Sequence, residues 1–232
     1  MKLRVFAGLL GCLLPLMGHA DVVKDARFIE PTDRYAHGVL GDAIEFGALE
    51  VTLTTGKKRI MRLPVSRVFE DLKPRVQDLD NDGSPEVVVI ETDENRGASL
   101  AIYGPKGKIT ATPYIGQSNR WLAPIGAADF DQDGAVEIGY IDRPHLAKTL
   151  RLWRYQNQEL VNVANQAGLT NHRIGQDFIT GGVRACGVAP SMIVVDATWS
   201  QIVEVTFGKG GFNRQSRGAY TGPESVSAAL KC

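Results

Sequence analysis

The chain has 232 residues, with 26 Lys and Arg against 26 Asp and Glu, so its formal charge is zero; 44% of residues are hydrophobic and 22% charged. No Lys/Arg stripe or cluster supplies the footprint that phosphates need, which argues against nucleic acid as a partner. A chain of this length can bury a full core as one domain, and after the first twenty residues no apolar run approaches membrane length.

The N-terminus carries Lys2 and Arg4, an apolar run over residues 5–17, and the small-residue ending Gly18-His19-Ala20. This pattern describes a secretory signal cleaved after Ala20, too short to span a bilayer. Leu9-Leu10-Gly11-Cys12 offers an alternative parse as a lipoprotein box, but the apolar run continues past Cys12. Cleavage leaves residues 21–232 as a single domain with formal charge −2, in the periplasm or outside the cell.

In chain order, the mature sequence breaks into short apolar runs separated by Gly, Pro, Asn and Gln, the rhythm of strands and turns. A first unit uses residues 35–40, 46–53 and 58–63. A second uses residues 75–77, 87–91, 99–103 and 109–115, and a third uses 125–128, 138–142, 149–153 and 160–163. A fourth uses 182–185, 191–196, 201–207 and 212–217. Units of about 40–55 residues predict an all-β fold, a small β-propeller of about four blades, each a four-stranded antiparallel sheet; a β-sandwich is the alternative.

The segment DLDNDGSPE, beginning at Asp78, recurs 51 residues later as DFDQDGAVE, beginning at Asp129. Each copy places acids at positions 1, 3, 5 and 9, with glycine at position 6, and runs directly into an apolar strand. Carboxylates so crowded repel one another unless a hard, oxygen-seeking cation lies among them. An EF-hand also opens DxDxDG, but it needs a glutamate at position 12 and flanking helices. Position 12 is Val89 in one copy and Tyr140 in the other, and the flanks favour strands. The competing reading is a pair of polar turns, since Asp, Asn and Gly dominate turns in general; identical acid spacing in two copies favours calcium. The equivalent loops at residues 40–43 and 186–190 have lost the acids.

In these residues, and above all in the stretch from Ile125 to Ile138, the chain resembles the FG-GAP and VCBS repeats of integrin α-subunit heads and bacterial surface proteins. The resemblance covers roughly residues 74–155. It implies that Asp78, Asp80, Asp82, the Ser84 carbonyl and Glu86 hold one calcium ion, and that Asp129, Asp131, Asp133, the Ala135 carbonyl and Glu137 hold a second.

Cys186 and Cys232 remain after cleavage and, in an oxidising compartment, are expected to form a disulfide. The three mature histidines, His37, His145 and His172, show no zinc spacing, and no nucleophile elbow, P-loop or dinucleotide fingerprint is present. Trp121 and Trp199 fall in predicted loops. With His145 and His172 they form a candidate ligand face, where an indole stacks on a sugar, although packing between blades explains them equally well. Trp153 lies within a strand and reads as core. The expected function is a secreted, calcium-stabilised, non-enzymatic binding or scaffold module for a protein or cell-surface partner. A lectin-like propeller is the alternative, and a polysaccharide lyase or hydrolase ranks third.

Overall fold

The computed structural model describes residues 21–232, so the leader expected at residues 1–20 lies outside the described residues. The chain begins with β1 (Val23–Thr32), β2 (Glu45–Leu53) and β3 (Lys58–Arg62). It continues through β4 (Arg67–Phe69), β5 (Arg75–Gln77), β6 (Glu86–Asp93), β7 (Gly97–Gly104) and β8 (Gly107–Ala111). These eight strands form one antiparallel sheet in the order β1-β2-β4-β6-β7-β8, with β3 beside β2 and β5 beside β6. The second sheet runs β12-β11-β10-β9, built from β9 (Leu122–Ala128), β10 (Glu137–Asp142), β11 (Thr149–Gln156) and β12 (Glu159–Ala167). The third contains β13 (Leu169–Thr170), β14 (Gly182–Arg184), β15 (Ser191–Asp196), β16 (Gln201–Gly208) and β17 (Gly211–Ala219), and α1 (Pro223–Leu230) follows it.

The all-β class is as expected, but the described residues form three sheets of eight, four and five strands rather than four separate four-stranded blades. The first two expected units are joined because β4 bridges them. Phe69 pairs with Phe46 of β2 on one side and Glu91 of β6 on the other, and the Val68 and Phe69 side chains are buried at the junction. Residues 35–40 form no strand. Gly38 and Gly41 take positive φ values of 65° and 96°, which end extended structure there. The strand beside β2 is instead β1, paired from Val23↔Leu53 to Thr32↔Glu45.

The three C-terminal units share one plan. An inner edge leads into a loop, a second strand buried at all or all but one of its positions follows, and two hairpins complete the unit. The inner edge is broken into β4 and β5 on β6, into β13 and β14 on β15, and bulged at Gly126 within β9. Strands β6, β7 and β10 are buried at every position. This is why their sequences read as continuous apolar runs and not as alternating ones. One core passes through all three sheets, joining Val88, Ile90 and Leu100 to Ile138, Leu150 and Leu152 and then to Met192, Val194 and Val203. The opposite face of the first sheet packs Leu49, Val51 and Phe69 against Val87 and Val89. Helix α1 covers the outer face of the third sheet, burying Val226 against Ile193, Val195 and Ile202.

Candidate metal centre

Each acidic loop hangs from a buried apolar residue at its second position, Leu79 in one and Phe130 in the other, both fully excluded from solvent. With position 2 fixed below, positions 1 and 3 turn their carboxylates to the same side. The fourth residue, Asn81 or Gln132, adopts a left-handed φ of 59° or 60°, and Gly83 or Gly134 follows at 84° or 93°. The reversal brings position 9 back, so that Glu86 accepts the Leu79 N–H at 3.0 Å and Glu137 accepts the Phe130 N–H at 3.0 Å. Position 1 is fixed in the same way, Asp78 accepting the Gly83 N–H at 2.9 Å and Asp129 the Gly134 N–H at 2.9 Å.

Each loop therefore gathers a triad. Asp78, Asp80 and Glu86 present carboxylate oxygens within 4.8 Å of one another, as do Asp129, Asp131 and Glu137. Asp82 and Asp133 stand beside the triads and accept the backbone N–H of Ser84 at 2.6 Å and of Ala135 at 2.9 Å. Burial pushes Glu86 up to about 7, with the charges of Asp80, Asp82 and Asp78 adding to the shift and the Leu79 N–H opposing it. Burial also raises Glu137, opposed there by Arg154 and the Phe130 N–H. Asp133 is held low, first by the Ala135 N–H and then by Arg154.

The donor set of the first loop fits a hard divalent cation. Asp78 Oδ1 is buried and has no hydrogen-bond partner, an arrangement that costs about 1–3 kcal/mol or more unless a positive charge answers it. Oxygen-only donors around a reversed turn are the chemistry of calcium. The second loop differs because Arg154 of β11 lies across it, bonded to Asp131, Asp133 and Glu137. Sequence reasoning missed Arg154. Its signal is the β10–β11 register, which sets Arg154 opposite Glu137, and no spacing rule supplies that before the hairpin is placed.

Successive loops are linked. The side-chain amide of Asn81 donates to the Gly134 carbonyl of the second loop at 3.0 Å, and that of Gln132 donates to the Val188 carbonyl of the third loop at 2.6 Å. The third loop is fastened by the Cys186–Cys232 disulfide, with Cα atoms 5.5 Å apart. The expected pairing is therefore present, and it ties the C-terminus beneath the inner edge of the last sheet.

The structure does bring Trp121, His145 and His172 together, but with Trp121 and His172 in the interior and His145 half-buried beside them. The Trp121 side chain is 2% exposed, and its indole N–H donates to the Glu70 carbonyl at 2.7 Å. Its edge meets the His172 ring with centroids 4.9 Å apart. An indole so placed cannot stack on a sugar, which corrects that expectation. His172 Nε2 faces the Gln176 carbonyl at 2.9 Å and so carries a proton, which leaves Nδ1 to accept from His145 Nε2 at 3.1 Å. Burial lowers the pKa of both imidazoles, His145 to about 4. His37 bonds Glu70 at 2.5 Å, and a cavity of about 30 Å³ separates it from Trp121 and His145, room for about one water. Trp199 stands outside this group, its face covered by the Arg173 guanidinium at 4.4 Å and its edge against Tyr220. Trp153 is half-buried and donates to the Tyr140 hydroxyl at 2.9 Å.

A family model described as an FG-GAP-like repeat matches residues 78–140. No curated protein and no solved structure matches the chain. The matched span starts at the first acidic residue of one loop, crosses β6 to β9, and ends just past the second loop in β10. The chain therefore carries an FG-GAP-like repeat at residues 78–140.

Proposed function

We propose that this chain is an extracytoplasmic, calcium-stabilised module of the β-propeller type that binds or scaffolds a protein or glycan partner and is not an enzyme. The observation that carries the reading is the first acidic loop, where a buried Asp78 oxygen has no partner and two further acids, Asp80 and Glu86, converge on it. Calcium would rigidify the turn between an inner edge strand and the buried strand after it, fixing the loops through which an FG-GAP-type module presents its surface. The disulfide supports an oxidising compartment, in keeping with a leader that ends at Ala20. The histidine group supports a packing role, since four of its six ring nitrogens are taken up by Glu70, Gln176 and each other. Buried Trp121 speaks against the lectin reading at that position.

Isothermal titration of the purified, chelator-treated protein with calcium chloride tests the metal half of this reading. Saturable binding at or below millimolar calcium, with magnesium far weaker, is the expected result; no heat of binding would overturn it. Fractionation tests the location, since the exported protein should begin at Asp21 and resist alkylation until reduced.

A further inference from the structure

The two acidic loops have the same acids at the same spacing but different surroundings. We propose that Arg154 serves as a built-in cation for the second loop, so that the chain takes up a single calcium ion, at the first loop. This inference rests on the calcium reading above.

In the second loop every acid already has a partner from the chain. Arg154 Nη2 lies 2.9 Å from Asp131 and 2.6 Å from Glu137, its Nη1 lies 2.8 Å from Asp133, and its Nε donates to Glu137 at 2.8 Å. The other Glu137 oxygen takes the Phe130 N–H, and the two Asp129 oxygens take the N–H groups of Asp133 and Gly134 at 3.1 and 2.9 Å. The guanidinium side chain is 19% exposed, so its pairs with Asp131 and Glu137 are weakly screened, and its planar fork suits several carboxylates at once. An incoming ion would have to break these pairs and leave a mostly buried guanidinium without its partners, which is strongly unfavourable.

In the first loop the equivalent position has no side chain. The β6–β7 register pairs Val87 with Tyr103, so the residue set against Glu86 is Gly104. Among the described residues no Lys, Arg or His forms an ion pair with Asp78, Asp80, Asp82 or Glu86, and Asp78 Oδ1 is left buried and unbonded. The neighbouring group is Tyr155, next in sequence to Arg154, which lines the same cleft as Asp80 and Asp82. A phenol brings no positive charge. Three equivalent loops are thus closed by three devices, an ion in the first, an arginine in the second and a disulfide in the third, with the Asn81 and Gln132 amides linking them in series.

Ion counting by native mass spectrometry across a set of variants tests the proposal, with thermal unfolding in calcium and in chelator as a second readout. The wild-type chain should carry one ion and Asp80→Asn none, while Asp131→Asn should keep one. Arg154→Gln should carry two. Gly104→Arg places the same cation opposite Glu86, where a Cβ meets only the Ile109 side-chain tip at 3.0 Å. It should lose the ion and keep its fold without calcium, which holds the test open should Arg154→Gln fail to fold. Two ions on the wild type at saturation, or loss of the ion in Asp131→Asn, would overturn the role of Arg154 and leave the calcium reading standing. No ion on the wild type would overturn the calcium reading itself.

Discussion

Glu45 opens β2 with its carboxyl buried, and the groups acting on it are acids. Burial first, then Glu70, Asp42 and Asp71, raise its pKa from 4.5 to about 9. The folded state therefore holds a proton that the unfolded chain releases above about 4.5, and the Glu45 contribution to stability falls as pH rises from there toward 9. Glu45→Gln should remove that dependence. Urea unfolding should find the variant equal to wild type near pH 4.5 and more stable at pH 8, by up to about 1.4 kcal/mol for each pH unit between, because only the unfolded wild-type chain has released its proton there. His145 acts with the opposite sign. Its folded pKa is depressed from 6.5 to about 4, so its contribution is present above pH 6.5 and is lost as pH falls through 4. His145→Gln should flatten the acid limb of the stability profile over that window, and an unchanged limb would mean that another group sets it.

At the scale of the element, the broken inner edges depend on glycines in close quarters. Gly181 sits at φ +117°, and a Cβ there would lie 2.1 Å from the Ile193 carbonyl oxygen, where β14 meets β15. Gly181→Ala should cost about 3 kcal/mol or more. Gly187→Ala, at φ +99° with open space around it, should cost only about 1 kcal/mol; equal losses in thermal unfolding would contradict the placement of that edge. The same elements show what the sequence made legible. Val87 to Ile90 and Met192 to Val195 announce themselves because strands buried on both faces must be apolar throughout. The edge strand β1 is not legible in sequence because Lys24, Asp25, Arg27 and Glu30 interrupt its apolar residues and mostly face solvent. Strands β4 and β13 have three and two residues, too few for any periodicity. The acids of the loops were readable from spacing alone, since their geometry is local. Arg154 and the interior placement of Trp121 depend on register and on packing between sheets, which local pattern does not carry.

Across the whole molecule, one core through three sheets is held at its loop-bearing end by fasteners of different chemistry. The Cys186–Cys232 bridge spans 46 residues of sequence and encloses β15, β16, β17 and α1. In the chain-entropy account such a link stabilises by about 4 kcal/mol. Cys232→Ser should lose most of that in non-reducing urea titrations and nothing relative to wild type once reductant is added. The FG-GAP-like repeat carries the first two of these loops, and the Asn81 amide links the first to the second. The most direct test of the account is differential scanning calorimetry of the wild-type protein under non-reducing conditions, in millimolar calcium and again in excess chelator. The account predicts a melting temperature several degrees higher in calcium, by about 2–4 °C for each kcal/mol of binding free energy, and no such rise for Asp80→Asn. Superimposable transitions for the wild type in calcium and chelator would contradict it, leaving the DxDxDG segments as polar turns.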